Sequence, residues 1–195
     1  SIQGIYYCIF LSRIMQAGKR RESKKSEAGE RMNLFDVIGP IMIGPSSSHT
    51  AGAVRLGRLA RELLGEPVIA ADIGLHGSFA RTGKGHGTDR ALIAGLMGWQ
   101  TDDSRIPHSF EHAAQTGLAF HFEMVCLGDS AHPNTVVFAL KGHSEGVLRI
   151  TGCSVGGGRI KITEINGFPL ELTGDFSALV TLHQDRPGVI HSVTG

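Results

Sequence analysis

Cysteine is scarce in this chain. Cys8, Cys126 and Cys153 are the only three in 195 residues, and they lie far apart with no CxxC pair. That spacing argues against a zinc knuckle, a dithiol redox motif or a complete iron–sulfur cluster within the chain, and such sparse thiols fit a reducing, cytoplasmic setting. A surplus of one charge is also missing: 19 Lys and Arg stand against 18 Asp and Glu, so net charge points neither to nucleic acid nor to an anionic membrane surface as a bulk partner. The apolar run Ile5 to Leu11 is too short to span a bilayer. Its cations, Lys19 to Lys25, follow it instead of preceding it, which reverses the order of a signal peptide. The GxxxxGK(S/T) phosphate loop and the GxGxxG dinucleotide fingerprint are both absent.

What the sequence does have is glycine, 27 residues, and histidine, 10 residues. Its densest stretch is Gly44-Pro45-Ser46-Ser47-Ser48-His49-Thr50-Ala51-Gly52. The side chains of Ser46, Ser47, Ser48 and Thr50 stand just ahead of a strongly helical segment, where unpaired N–H groups and the helix dipole favour an anion. His49 adds a group that exchanges protons near neutral pH. Taken alone, the same run is also an ordinary serine-rich cap with an incidental histidine. The spacing of Ala53, Leu56, Leu59, Ala60, Leu63 and Leu64 predicts a helix, with Gly65 and Pro67 as its stop.

The second dense stretch runs from His76 to Asp89. Val68 to His76 is predicted as a strand, and Gly83, Gly85 and Gly87 then alternate with Lys84 and His86. This predicts a glycine-rich loop that folds closely round a ligand while presenting one cation and one imidazole; the plain alternative is such a loop holding a satisfied histidine. Thr88 or Asp89 is expected to cap a helix from Ala91 to Met97. Further on, Phe110 to Gly117 is predicted helical, and Leu118 to Val125, Thr135 to Leu140, Val147 to Thr151 and Arg159 to Ile165 as strands. His132-Pro133-Asn134-Thr135 is a turn whose polar groups could face the same ligand, and Cys153 to Gly158 is predicted as a bend. His108, His112, His121, His143, His183 and His191 share no spacing and read as surface or core residues. A short helix or turn is expected over Asn33 to Ile43, and a strand from Ala178 with a turn and a helix at Val189 closes the chain.

Residues 32 to about 166 resemble the beta chain, or beta domain, of the bacterial iron–sulfur-dependent L-serine dehydratases. The resemblance is carried by Phe35-Asp36-Val37-Ile38-Gly39-Pro40, the Gly44–Thr50 run, Gly77-Ser78, Thr82 to Asp89, His132 to Thr135 and Gly156-Gly157-Gly158. It implies an α+β fold, a mixed sheet with packed helices like that of the serine dehydratase beta and allosteric substrate-binding domains. Residues 1–31 are expected to be a leader or non-native extension, 32–174 the beta domain, and 175–195 the truncated start of a ferredoxin-like ACT domain.

The implied activity is the β-elimination of L-serine to pyruvate and ammonia, in a cytoplasmic oligomer with an alpha chain that ligates the [4Fe-4S] cluster. This chain would carry no metal ligands. His49 and His86 would be its acid and base, and Ser46, Ser47, Ser48, Thr50, Lys84, Thr88, Asp89 and Asn134 its substrate-binding residues. The alternative is a non-catalytic anion-binding or amino-acid-binding regulatory domain like that of some phosphoglycerate dehydrogenases. A serine hydrolase is disfavoured, because a serine directly beside its own base in sequence gives poor triad geometry.

Overall fold

The computed structural model describes residues 5–12, 41–174, 177–184, 187, 188 and 191, with the backbone alone for 5–12 and 177–184. The apolar run near the start forms strand β1, Ile5–Ser12. At the hydroxyl run, Ser46 has extended backbone and its Oγ accepts the His49 N–H at 3.1 Å, which satisfies one of the orphan donors of a helix start. One π-helical turn, Ser47–Ala51, leads without a break into helix α1, Gly52–Leu64. Gly65 ends it in the left-handed region, with its N–H on the Arg61 and Glu62 carbonyls. The helix and its stop are as expected from the spacing.

Strand β2, Ala70–Leu75, is followed by two helices joined at Gly87: α2, Gly77–His86, and α3, Thr88–Leu96. Here the expected loop is corrected, because Gly83 and Gly85 lie inside a helix. Each glycine costs about 1 kcal/mol against alanine in a helix interior. Three features offset that cost. Phe79 is completely buried; Ser78 and Phe79 donate their N–H groups to the Pro133 carbonyl, at 2.6 and 3.4 Å; and Gly87 closes the helix with its N–H on the Gly83 and Lys84 carbonyls. Tertiary anchoring at the start of the helix and a local glycine cap at its end together override propensity.

Helix α4, Ser109–Thr116, and strands β3, Ala119–Met124, β4, Thr135–Lys141, β5, Leu148–Gly156, and β6, Arg159–Ile165, come next. Strand β5 is longer than expected, so the bend predicted from Cys153 is confined to the glycines that follow Val155. Strand β7, Phe168–Leu172, is not among the expected elements. Its signal is Asn166-Gly167, both with positive φ (50° and 85°), the dipeptide that favours a two-residue hairpin turn. Pro169 is tolerated there because β7 lies at the edge of the sheet.

The sheet runs β3-β2-β4-β5-β6-β7, with β2 and β3 parallel and every other pair antiparallel. It is therefore mixed, and with four helices among the described residues the fold is α+β. One sheet face supplies Ile73, Val136, Phe138, Leu140, Ile150 and Ile162 to a core shared with Leu56 of α1 and Leu92, Ile93 and Leu96 of α3. Full burial of such a side chain contributes about 1.5–3 kcal/mol.

The chain divides into two units, and residues 26–173, with the six-stranded sheet, are one of them. In the other, β1 pairs antiparallel with strand β8, Ser177–Gln184, from Ile5 opposite Gln184 to Ser12 opposite Ser177. The element expected over 33–43 lies largely outside the described residues, as does the helix expected from Val189.

Candidate active site

The two dense motifs of the sequence meet. The cap at Ser46 sets the π-helical turn so that His49 leaves it towards α2, and the ring centroids of His49 and His86 lie 5.0 Å apart, tilted by 38°. Phe79 of α2 packs edge-on to the His49 ring at 5.3 Å. Helix α2 also supplies what holds the imidazole in place. Ser78 Oγ and Thr82 Oγ1 each lie 3.1 Å from His49 Nε2, while His49 Nδ1 lies 3.5 Å from Ser46 Oγ. Burial pushes the His49 pKa below the ordinary imidazole value, the neighbouring His86 ring adds to this, and a hydrogen bond to the Ser78 backbone opposes it.

His86 is exposed and held differently. Its Nδ1 lies 3.1 Å from the Thr82 carbonyl, an acceptor, so Nδ1 carries the hydrogen and Nε2 has the lone pair in the neutral ring. The Thr50 hydroxyl donates to the His86 carbonyl at 3.2 Å and so ties the turn that carries one imidazole to the helix that carries the other. Thr50 is almost fully buried.

The expected substrate-binding residues fall into groups. Ser46 is engaged as the cap and Thr50 as the tie, whereas the half-buried hydroxyls of Ser47 and Ser48 have no partner among the described residues. Lys84 is exposed on α2. Thr88 is fully buried beside Gly83, with no hydrogen-bond partner for its hydroxyl among the described residues, and the Asp89 carboxylate accepts the Arg90 N–H at 2.8 Å. Asn134 faces strand β5: its carbonyl accepts the Ser154 N–H at 3.0 Å and its amide donates to the Ser154 carbonyl at 3.4 Å. The His132–Thr135 turn thus anchors α2 through Pro133 and β5 through Asn134.

Sequence reasoning misses Ser78 and Thr82 as site residues. Their signal is the i, i+4, i+8 spacing of Ser78, Thr82 and His86, one stripe of a helix, and reading the segment as a loop hides it. The same reasoning passes over Gly152-Cys153-Ser154-Val155-Gly156, which has the Gly-x-Ser-x-Gly spacing of a nucleophile elbow. Ser154 lies inside β5, fully buried, with no hydrogen-bond partner for its hydroxyl among the described residues. It faces α1 at Gly52, where a Cβ would come within 2.1 Å of its Oγ. A serine inside a strand, without a base, is not a strand-to-helix elbow.

Fold and site together define an α+β domain that brings two imidazoles to a hydroxyl-lined helix start. A family profile described as serine dehydratase beta chain matches residues 33–119. The chain is 47% identical over 163 residues to the L-serine dehydratase, beta chain, of Peptoniphilus asaccharolyticus, covering 82% of this chain and 72% of that one. It is 46% identical over 161 residues to the probable L-serine dehydratase, beta chain, of Bacillus subtilis (strain 168), covering 83% and 72%. To the L-serine dehydratase TdcG of Escherichia coli (strain K12) it is 34% identical over 156 residues, 66% of this chain and 33% of that one. The chain belongs to the L-serine dehydratase beta chain family.

Proposed function

We propose that this chain is the half of an L-serine dehydratase that grips the substrate carboxylate and handles the protons, in a complex with an alpha chain. The observation that carries the reading is the His49–His86 pair, 5.0 Å between centroids, at a helix start where the hydroxyls of Ser47 and Ser48 have no partner among the described residues. Ser47 and Ser48 donate to the serine carboxylate, and the positive end of the helix adds to their hold. Fixing that charge also acidifies the neighbouring Cα–H, because electron density that builds towards the carboxylate during proton removal is stabilised there. Lys84, two residues before His86 on α2 and exposed, points away from the imidazole side of the helix and adds only a distant positive charge. Ser46, Thr50, Ser78 and Thr82 orient the imidazoles, and Thr88, Asp89 and Asn134 support the elements that carry them.

His49, held below its ordinary pKa, is neutral at pH 7 and takes the Cα proton. His86, whose Nε2 has no hydrogen-bond partner among the described residues, gives a proton to the departing hydroxide from its imidazolium form, in which Nε2 also carries a hydrogen. The Cα–H and Cβ–O bonds break, water leaves, and aminoacrylate tautomerises to an imine that hydrolyses to pyruvate and ammonia.

The family resemblance implies a [4Fe-4S] cluster that activates the hydroxyl. The described residues do not fit that group. Cys126 is exposed after β3, Cys153 is buried in β5 with its thiol pKa pushed up by burial, and no three potential metal ligands converge among the described residues. In this proposal the cluster belongs to the alpha chain.

The test is anaerobic serine deamination after cluster reconstitution. The chain with its alpha partner is expected to form pyruvate and the chain alone none; pyruvate from the chain alone, or none from the pair, sinks the reading. The same assay checks His49. Its pKa is lowered from 6.5, so the acid limb of kcat/KM is expected to have its midpoint below pH 6.5. Stability follows the same sign. Between pH 6.5 and the folded-state value the unfolded chain binds the proton first, so folded stability falls as pH drops through that window. A kinetic midpoint at or above 6.5 would remove His49 as the base.

A further inference from the structure

Four glycines punctuate α2 and its end, and three have a reason inside the chain. Gly77 has φ +58° and lies against the Pro133 backbone, Gly83 faces Thr88 across 3.3 Å from where its Cβ would be, and Gly87 has φ +68°. Gly85 has no such reason. Its φ is not positive, and a Cβ built on it meets nothing within 4 Å. A glycine kept in a helix where alanine would fit costs stability with no return in packing.

Its position on the helix is informative. Successive residues step by about 100°, which puts Gly85, seven residues after Ser78, within roughly 20° of it around the helix axis. Ser78 and Thr82 touch His49 Nε2, and His86 is the next residue in the chain. The bare stretch of backbone therefore lies next to Thr82, three residues before it, at the solvent edge of the Ser78–Thr82 stripe and across from the edge where Phe79 packs against His49.

We infer that Gly85 is a specificity-determining residue: the missing side chain keeps room beside His49 and His86 for a small amino-acid substrate to lie against α2. The inference rests on the dehydratase reading above and adds to it what sets the size of the ligand. A methyl group here displaces the ligand without straining the chain, so the loss falls on binding and not on folding.

The experiment compares Gly85→Ala and Gly85→Leu with the unmodified chain, each co-assembled with the alpha chain and reconstituted. For Gly85→Ala the melting temperature is expected to be unchanged or up by about 2–4 °C, and co-elution with the alpha chain to be unchanged. KM for L-serine should rise by about tenfold with kcat within about threefold, the signature of lost uniform binding. Gly85→Leu should raise KM further. A KM within about twofold of the unmodified value overturns the inference. So does a fall in kcat at constant KM, which would make Gly85 a hinge, or a loss of co-elution, which would give this surface to the alpha chain. If the unmodified complex does not turn serine over, the dehydratase reading fails and takes this inference with it. Normal turnover by the unmodified complex and by Gly85→Ala alike defeats this inference alone.

Discussion

His49→Ala in the assembled complex is expected to lower kcat/KM for L-serine by about 10²–10⁴-fold, the usual contribution of a positioned acid–base group. The loss should fall mainly on kcat, because the hydroxyls of Ser47 and Ser48 and the helix end remain to bind the carboxylate. His49→Asn serves as the companion, since the ring packs against Phe79 and an alanine there opens a gap. If both variants fold and assemble but neither turns over, the proton role stands apart from any packing effect. The opposite outcome is equally informative: full turnover by both, with an altered response to serine or phosphate, would make the chain a regulatory binding module. His86→Ala should cost less than His49→Ala, because His86 is exposed and water can replace it as a proton donor. A larger loss for His86 would exchange the two roles assigned here.

Much of this arrangement is legible in the amino-acid sequence, and the parts that are not share a cause. Helix α1 is readable because Ala53, Leu56 and Ala60 keep one face and Gly65 ends it. Strands β4 and β6 are readable from short apolar runs between turn residues. Helix α2 is not, because its stability comes from Pro133 and the burial of Phe79, contacts made by residues about 50 positions away or by packing that no local pattern encodes. Strand β7 escapes although Asn166-Gly167 marks its turn, because Pro169 reads as a breaker until the strand's place at the sheet edge is known. The sheet order follows from pairings between distant segments and has no local signature. In the site, motif density alone points to both histidines. Ser78 and Thr82 are lost with the helix that aligns them, and Thr50 reads as a ligand-facing hydroxyl although its hydrogen goes to the His86 carbonyl.

The contact that keeps the two imidazoles in register is the crossing of α1 and α3. A Cβ on Gly95 would lie 2.2 Å from the Val54 carbonyl oxygen and 2.9 Å from the Arg58 nitrogen, and one on Gly57 would lie 2.4 Å from the Leu92 carbonyl oxygen. These are backbone atoms, so no rotamer change relieves the overlap and the helices must part. Gly95→Ala is therefore expected to destabilise the chain by about 3 kcal/mol, at the upper end for overpacking, and to lower its melting temperature by about 6–12 °C. The consequence reaches the site because the turn that carries His49 runs straight into α1, while α3 directly follows the helix that ends at His86. Parting the helices shifts one ring relative to the other and strains the Thr50–His86 tie, so Gly95→Ala should also lose activity at temperatures where it remains folded. Circular dichroism melts of the isolated chain and turnover of the complex well below the transition measure the two effects separately. A melt within a degree or two of the unmodified chain would mean that the helices separate at little cost, and the close crossing would then not be what holds the pair together.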